Sequence, residues 1–142
     1  MNLKSIYLLE ALLFFCSLAY AQQNEKINPI DKQLKACLDT KENQTTAGMC
    51  DCTYEALDKW DKQLNVVYKA LASKLNTTAK TKLVEAQRQW VKFKEKEVEL
   101  IDATYGSADG TMWRVVRASK ILQLTKERAV ELESLLETLE SF

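Results

Sequence analysis

The feature that most limits what this chain can fold into is the helical spacing of its apolar residues. They return at intervals of three and four through residues 49–75, 77–105 and 112–139, which places them along one side of a helix in each segment. No segment shows the strict alternation that a half-buried strand requires. The sequence therefore predicts an all-α protein with three long helices.

The breaks between these segments are short and carry helix-ending residues. Asn76 precedes the second helix and can cap it, and the glycine-containing stretch 106–110 ends that helix. Thr111 can then cap the last helix. Short connections force neighbouring helices to run antiparallel. We expect an antiparallel bundle of three long helices, preceded by a short helix that starts near Pro29.

The middle helix carries a large aromatic residue beside polar ones. Its apolar side includes Trp90, with Gln87 and Arg88 within one turn of it. Residues 86–93 are therefore expected to lie at the centre of the core. A buried amide or guanidinium needs a partner, and the candidates on the other helices are Asn65, Tyr68 and Arg128.

The first residues are typical of a cleaved export signal. Lys4 precedes an apolar run over residues 6–20, and Ala19-Tyr20-Ala21 fits a signal-peptidase site, so residues 1–21 are predicted to be removed. The run is too short to span a membrane. We expect a periplasmic or secreted protein without a membrane anchor, made of a segment 22–36 and a helical domain 37–142.

Charge and composition exclude several functional classes. The formal net charge is zero, which argues against general binding to nucleic acid or to an anionic membrane. The chain has no histidine, so the usual general base and the usual nucleophile pairs are missing. No phosphate-binding loop or metal-ligand set is present. The sequence predicts a binding protein rather than an enzyme, with no catalytic, cofactor-binding or metal-binding residues.

Three cysteines follow the predicted signal peptide, at positions 37, 50 and 52. An oxidising compartment favours one disulfide and leaves one thiol. Cys50 and Cys52 point about 200° apart on a helix, and Cys52 lies on the apolar side. A Cys37–Cys52 bond is therefore expected, with Cys37–Cys50 as the alternative.

Several short elements follow one another in an order seen in a known family. They are Cys37, Thr46 with Met49, Cys52, Leu64-Asn65 with Tyr68, Ala86-Gln87-Arg88 with Trp90 and Phe93, Gly106-Ser107, and Thr125 with Arg128. Over residues 37–132 the chain resembles the LprI-like lysozyme inhibitors, small exported bacterial proteins. The resemblance implies a lysozyme-type muramidase as partner. Many relatives have a second cysteine pair, and here those positions hold Val98 and approximately Lys120.

The motif residues have two interpretations. Leu64, Asn65, Tyr68, Gln87, Arg88, Trp90 and Arg128 either form a buried cluster that fixes helix register or line a surface that grips a partner. For the whole protein, the resemblance implies inhibition by protein–protein blockade. The alternative is a cell-envelope scaffold or an immunity factor against a wall-degrading toxin. An acidic last helix, with five glutamates after Lys126, is expected to steer the protein towards basic lysozymes.

Overall fold

The computed structural model describes residues 27–106 and 109–142. The predicted signal peptide lies outside the described residues. Within them the chain is helical and contains no strand, which confirms the all-α prediction. The elements are α1 Pro29–Leu38, a 3₁₀ turn Lys41–Asn43, α2 Thr46–Lys74, α3 Thr77–Tyr105 and α4 Met112–Glu140.

Side-chain caps start three of the four helices. Asn28, Thr45 and Asn76 each accept a hydrogen bond from a backbone amide two or three residues later, at 2.8, 3.1 and 2.9 Å. Such caps satisfy amides that have no partner inside the helix. The expected cap at Thr111 is absent from α4. Its hydroxyl lies instead 2.9 Å from that of Thr46 and so connects the first turns of α2 and α4.

The core lies between α2 and α4. Trp60, Leu132 and Thr125 are its largest fully buried side chains, and the threonine hydroxyl donates to the carbonyl oxygen of Ile121 on its own helix. Small residues bring the two helices close together, since Ala129 is also fully buried. The other members of the cluster are Ala56, Leu64, Val67, Leu71, Leu83 and Leu122.

The prediction that residues 86–93 form the centre of the core is wrong. Trp90 is half-buried at the margin of the cluster, and Phe93 is 51% exposed. The cause lies one and two turns further along α3, where Lys94 and Glu97 fall on the same side as Trp90. Charged groups there resist full burial, so α3 packs less deeply than α2 and α4.

A disulfide ties the short helix to the bundle. Cys37 and Cys52 are bonded, with their Cα atoms 5.8 Å apart, which confirms the predicted pairing. Of the cysteines in the described range, Cys50 remains free. The connection is compact, because a Cβ at Gly48 would lie 2.5 Å from the Cα of Asn43. A side chain at position 48 would push the 3₁₀ turn away from α2.

Candidate functional site

The motif residues Gln87 and Arg128 meet across two helices. Nε of Arg128 donates to Oε1 of Gln87 at 3.0 Å, and Nη1 lies 2.7 Å from a carboxylate oxygen of Glu131. The Arg128 side chain is 10% exposed. This pair is the polar link between α3 and α4 in the middle of the bundle.

The other motif residues do not join this pair. Asn65 is exposed and donates to the backbone of Asp61 on its own helix at 2.8 Å, and Arg88 is exposed. Leu64 is part of the core, and Tyr68 and Trp90 pack against it. The polar cluster expected around Gln87 is therefore a pair, because the amide of Asn65 is bonded within its own helix and Arg88 is exposed.

A second polar group, which the sequence did not reveal, joins three helices. The indole Nε1 of Trp60 donates to Oδ1 of Asp31 at 3.2 Å, and Nζ of Lys126 lies 2.7 Å from Oδ2 of the same carboxylate. The ammonium also sits 5.6 Å from the centre of the Trp60 ring. A buried indole N–H needs an acceptor, and α1 supplies one. That requirement is the sequence signal that would have pointed to Asp31.

A mixed polar and aromatic surface lies at the end of the bundle where α2 and α4 begin. It surrounds a cavity of about 550 Å³. Its aromatic and arginine residues come from distant parts of the chain and match no motif, so no sequence signal points to them. The cavity is lined by Thr46, Ala47, Cys50, Asp51, Tyr54, Thr111, Trp113, Arg114 and Arg117. We call this surface, together with the exposed Met112 beside it, the bundle tip.

Arg117 is held rigidly in the bundle tip. Its Nε and Nη2 lie 2.5 and 3.2 Å from the two carboxylate oxygens of Asp102 on α3, and Nη1 reaches the Tyr54 hydroxyl at 3.5 Å. The hydrogen bonds from Arg117 lower the pKa of Asp102, and the same bonds raise the pKa of Arg117. Both groups therefore stay charged at neutral pH.

Arg114 is placed differently. Its guanidinium carbon lies 5.9 Å from the centre of the Trp113 ring, and within residues 27–106 and 109–142 it forms no ion pair. Asp51 is the acidic side chain of the cavity wall. The tip thus combines one fixed arginine, one arginine without an ionic partner in the described chain, and two aromatic rings.

Neither a metal site nor a membrane span is found in the part of the chain that the structure describes. No three His, Cys, Asp or Glu side chains there lie close enough together to hold a metal ion. No described helix combines the length and the apolar character needed to cross a bilayer.

Comparison with known proteins identifies a structural relative and a family. No curated protein matches the chain. The crystal structure of an uncharacterized protein from Burkholderia thailandensis is similar, with a TM-score of 0.76 and 28% identity. The match covers 82% of this chain and 58% of that one, so this chain spans little more than half of its relative. The family model for lysozyme inhibitor LprI matches residues 37–132. The chain therefore belongs to the LprI lysozyme inhibitor family.

Proposed function

We propose that this protein is an exported inhibitor of a lysozyme-type muramidase and blocks the enzyme by protein–protein contact. The observation that carries the proposal is the family match, which includes all of α2 and α3 and most of α4. Export rests on the predicted signal peptide at residues 1–21. The absence of histidine and the polar chemistry of the tip fit a binding protein.

The bundle tip is the surface that fits this role best. Trp, Tyr and Arg are the residue types that most often dominate the energetics of protein interfaces, and the tip presents Tyr54, Trp113, Arg114 and Arg117 around one cavity. Its place in the fold also suits the task. The tip lies where α2 and α4 begin, at one end of helices that are about 43 Å long. An enzyme can therefore be contacted at this end while the flanks of the bundle stay outside the contact.

The charges of the bundle tip also support its assignment as the surface that binds the enzyme. Lysozyme-type enzymes cleave their substrate with two carboxyl groups in the cleft, and an arginine without an ionic partner is attracted to such groups. Within the described residues Arg114 has that character, and Arg117 is pre-organised by Asp102. Asp51 opposes this attraction from the cavity wall. Arg114 therefore has the better position to reach an acidic cleft.

The acidic end of α4 is weaker as a contact surface than its sequence suggests. Glu131 pairs with Arg128, and Glu140 lies 3.1 Å from Lys74. Two of the five glutamates are thus partly neutralised. We retain long-range steering of a basic enzyme as the role of this helix, with the direct contacts at the tip.

Lysis of cell-wall material by muramidases of several structural classes tests the proposal. The processed protein should slow lysis by at least one of them. Arg114→Glu and Trp113→Ala should each raise the inhibition constant about tenfold or more, while helical circular dichroism stays unchanged. Val66→Ala is the matched control, because this α2 residue is 61% exposed and does not line the tip cavity. Unimpaired lysis by every enzyme would contradict the proposal.

A further inference from the structure

The outer face of α3 and α4 carries a row of apolar side chains that nothing in the described chain covers. On α3, Phe93 and Leu100 are one heptad apart, and Leu100 is 59% exposed. On α4, Leu135 is 52% exposed, and Phe142, two residues beyond the end of the helix, is fully exposed. Leu135 and Phe142 border the same hollow as Ala86 of α3, and Leu100 borders a hollow with Leu124 of α4. We call this surface of the two helices the α3–α4 face.

Two hollows lie along this face, one towards each end. The first, about 510 Å³, lies where the end of α2 meets this face. Its lining includes Leu71, Leu75, Leu83, Ala86, Leu135, Leu139 and the charged residues Lys82, Arg128 and Glu131. The second, about 340 Å³, is lined by Leu100, Thr104, Leu124 and the charged residues Glu97, Lys120 and Glu127. The face thus presents apolar side chains along its length and charges of both signs towards each end.

The charges are arranged so that the face is complementary to itself. Gln87 is bonded to Arg128 and Asp102 to Arg117, so residue numbers fall along α4 as they rise along α3. Lys82 is therefore level with Glu131. By the same register Glu97 is level with Lys120.

We propose that the α3–α4 face binds a second copy of this chain. A twofold axis along the groove between the helices lays α3 of each copy on α4 of the other at the same level. Lys82 then faces Glu131 of the second copy, and Glu97 faces its Lys120. In the single chain Lys82 contacts Glu85 in an exposed pair, whereas Glu131, itself 61% exposed, contacts the largely buried Arg128. An exposed pair such as Lys82–Glu85 is weak and can exchange partners, and Glu131 has a free side towards solvent.

The size of the face approaches what a stable dimer needs. Without the bundle tip, the face spans residues 82–104 of α3 and 120–140 of α4, each stretch about 33 Å long and about 10 Å wide, so together they cover roughly 660 Å² of the ~800 Å² that each partner buries in a specific complex. The bundle tip lies at one end of this layer and stays outside the contact. A dimer would therefore present two tips.

Analytical ultracentrifugation of the processed protein tests the dimer. The wild type should sediment as a dimer at about 50 µM, since interfaces of this size have micromolar or tighter affinity. Leu100→Glu and Leu135→Glu should each raise the dissociation constant at least a hundredfold without loss of helix. Val66→Glu, on exposed α2 surface, should leave it unchanged. A wild type that stays monomeric would overturn the proposal.

Charge reversal tests the geometry. Glu97→Lys alone and Lys120→Glu alone should each weaken self-association at least tenfold, because like charges then meet across the interface. An equimolar mixture of the two variants should regain the wild-type affinity, because a mixed dimer restores both opposite-charge contacts between copies. A mixture as weak as either variant would overturn the proposed arrangement. A wild type that stays monomeric and whose Leu100→Glu variant loses muramidase inhibition would also overturn it. That result would mean that the α3–α4 face binds the enzyme.

Discussion

At the scale of single residues, Trp60 has the position that the sequence led us to expect for Trp90. Trp60 is fully buried and its indole N–H is bonded to Asp31. Trp60→Ala should lower the free energy of unfolding by about 3–5 kcal/mol. Trp90→Ala should cost roughly 1–2 kcal/mol, because part of its ring is already in water. Urea unfolding of both variants measures the difference, and equal costs would contradict this ranking.

Arg128 offers a second test at this scale. Arg128→Ala removes the donor to Gln87 and a side chain that is nine-tenths buried, so it should destabilise the bundle by about 1–3 kcal/mol. In the Arg128→Ala background, Gln87→Ala should then lower the free energy of unfolding by less than it does in the wild type. A double-mutant cycle reports this coupling. Strict additivity of the two substitutions would show that the bond contributes nothing to the stability of the fold.

At the scale of secondary-structure elements, the helices follow from local signals and their packing does not. Apolar spacing and side-chain caps place α2 and α3 within a residue or two of their ends, because both act inside one segment. How deeply α3 is buried depends on Lys94 and Glu97. Their effect cannot be read from α3 alone, because it depends on how α3 packs against the core formed by α2 and α4. The bundle tip combines residues from two helices that are distant in the sequence, α2 and α4, so neither spacing nor motifs bring Tyr54, Trp113 and Arg117 together.

The attachment of α1 gives a prediction for one element. The Cys37–Cys52 bond closes a separation of 15 residues, and removing it by a double change to alanine should lower the free energy of unfolding by about 3 kcal/mol. The helical signal should remain, because the core between α2 and α4 is untouched. Cys50→Ala is the matched control and should leave stability nearly unchanged. Thermal unfolding followed by circular dichroism checks both.

The junction of α3 and α4 predicts a dependence on pH. The folded-state pKa of Asp102 is lowered by Arg117, so its stabilising effect is present above the unfolded value of about 3.9. That effect is lost as the pH falls through the lower folded value. Asp102→Asn should therefore destabilise the protein at pH 7 and have little effect at the acid end of an unfolding series. If the difference in unfolding free energy between Asp102→Asn and the wild type stayed constant from neutral to acid pH, Asp102 would not be the group responsible.

At the scale of the whole molecule, we assign different binding roles to two separate surfaces. The bundle tip carries the aromatic and arginine side chains assigned to the muramidase, and the α3–α4 face carries the apolar row assigned to a second copy. The family resemblance rests on the Cys, Leu-Asn and Gln-Arg-Trp elements. Leu64 belongs to the core and Trp90 packs against it, whereas Asn65 and Arg88 are exposed. The surface that we assign to the partner lies elsewhere, at the bundle tip, where the sequence offers no motif.

The most direct test is the affinity of the processed protein for an inhibited muramidase, measured with increasing amounts of a soluble oligosaccharide that fills the enzyme's cleft. If the bundle tip occupies the cleft, the apparent dissociation constant should rise in proportion to the saccharide concentration. Arg114→Glu should weaken binding by the same factor at every saccharide concentration, because simple competition multiplies both apparent dissociation constants equally. An affinity that is unchanged by a saturated cleft would contradict blockade of the cleft by the tip.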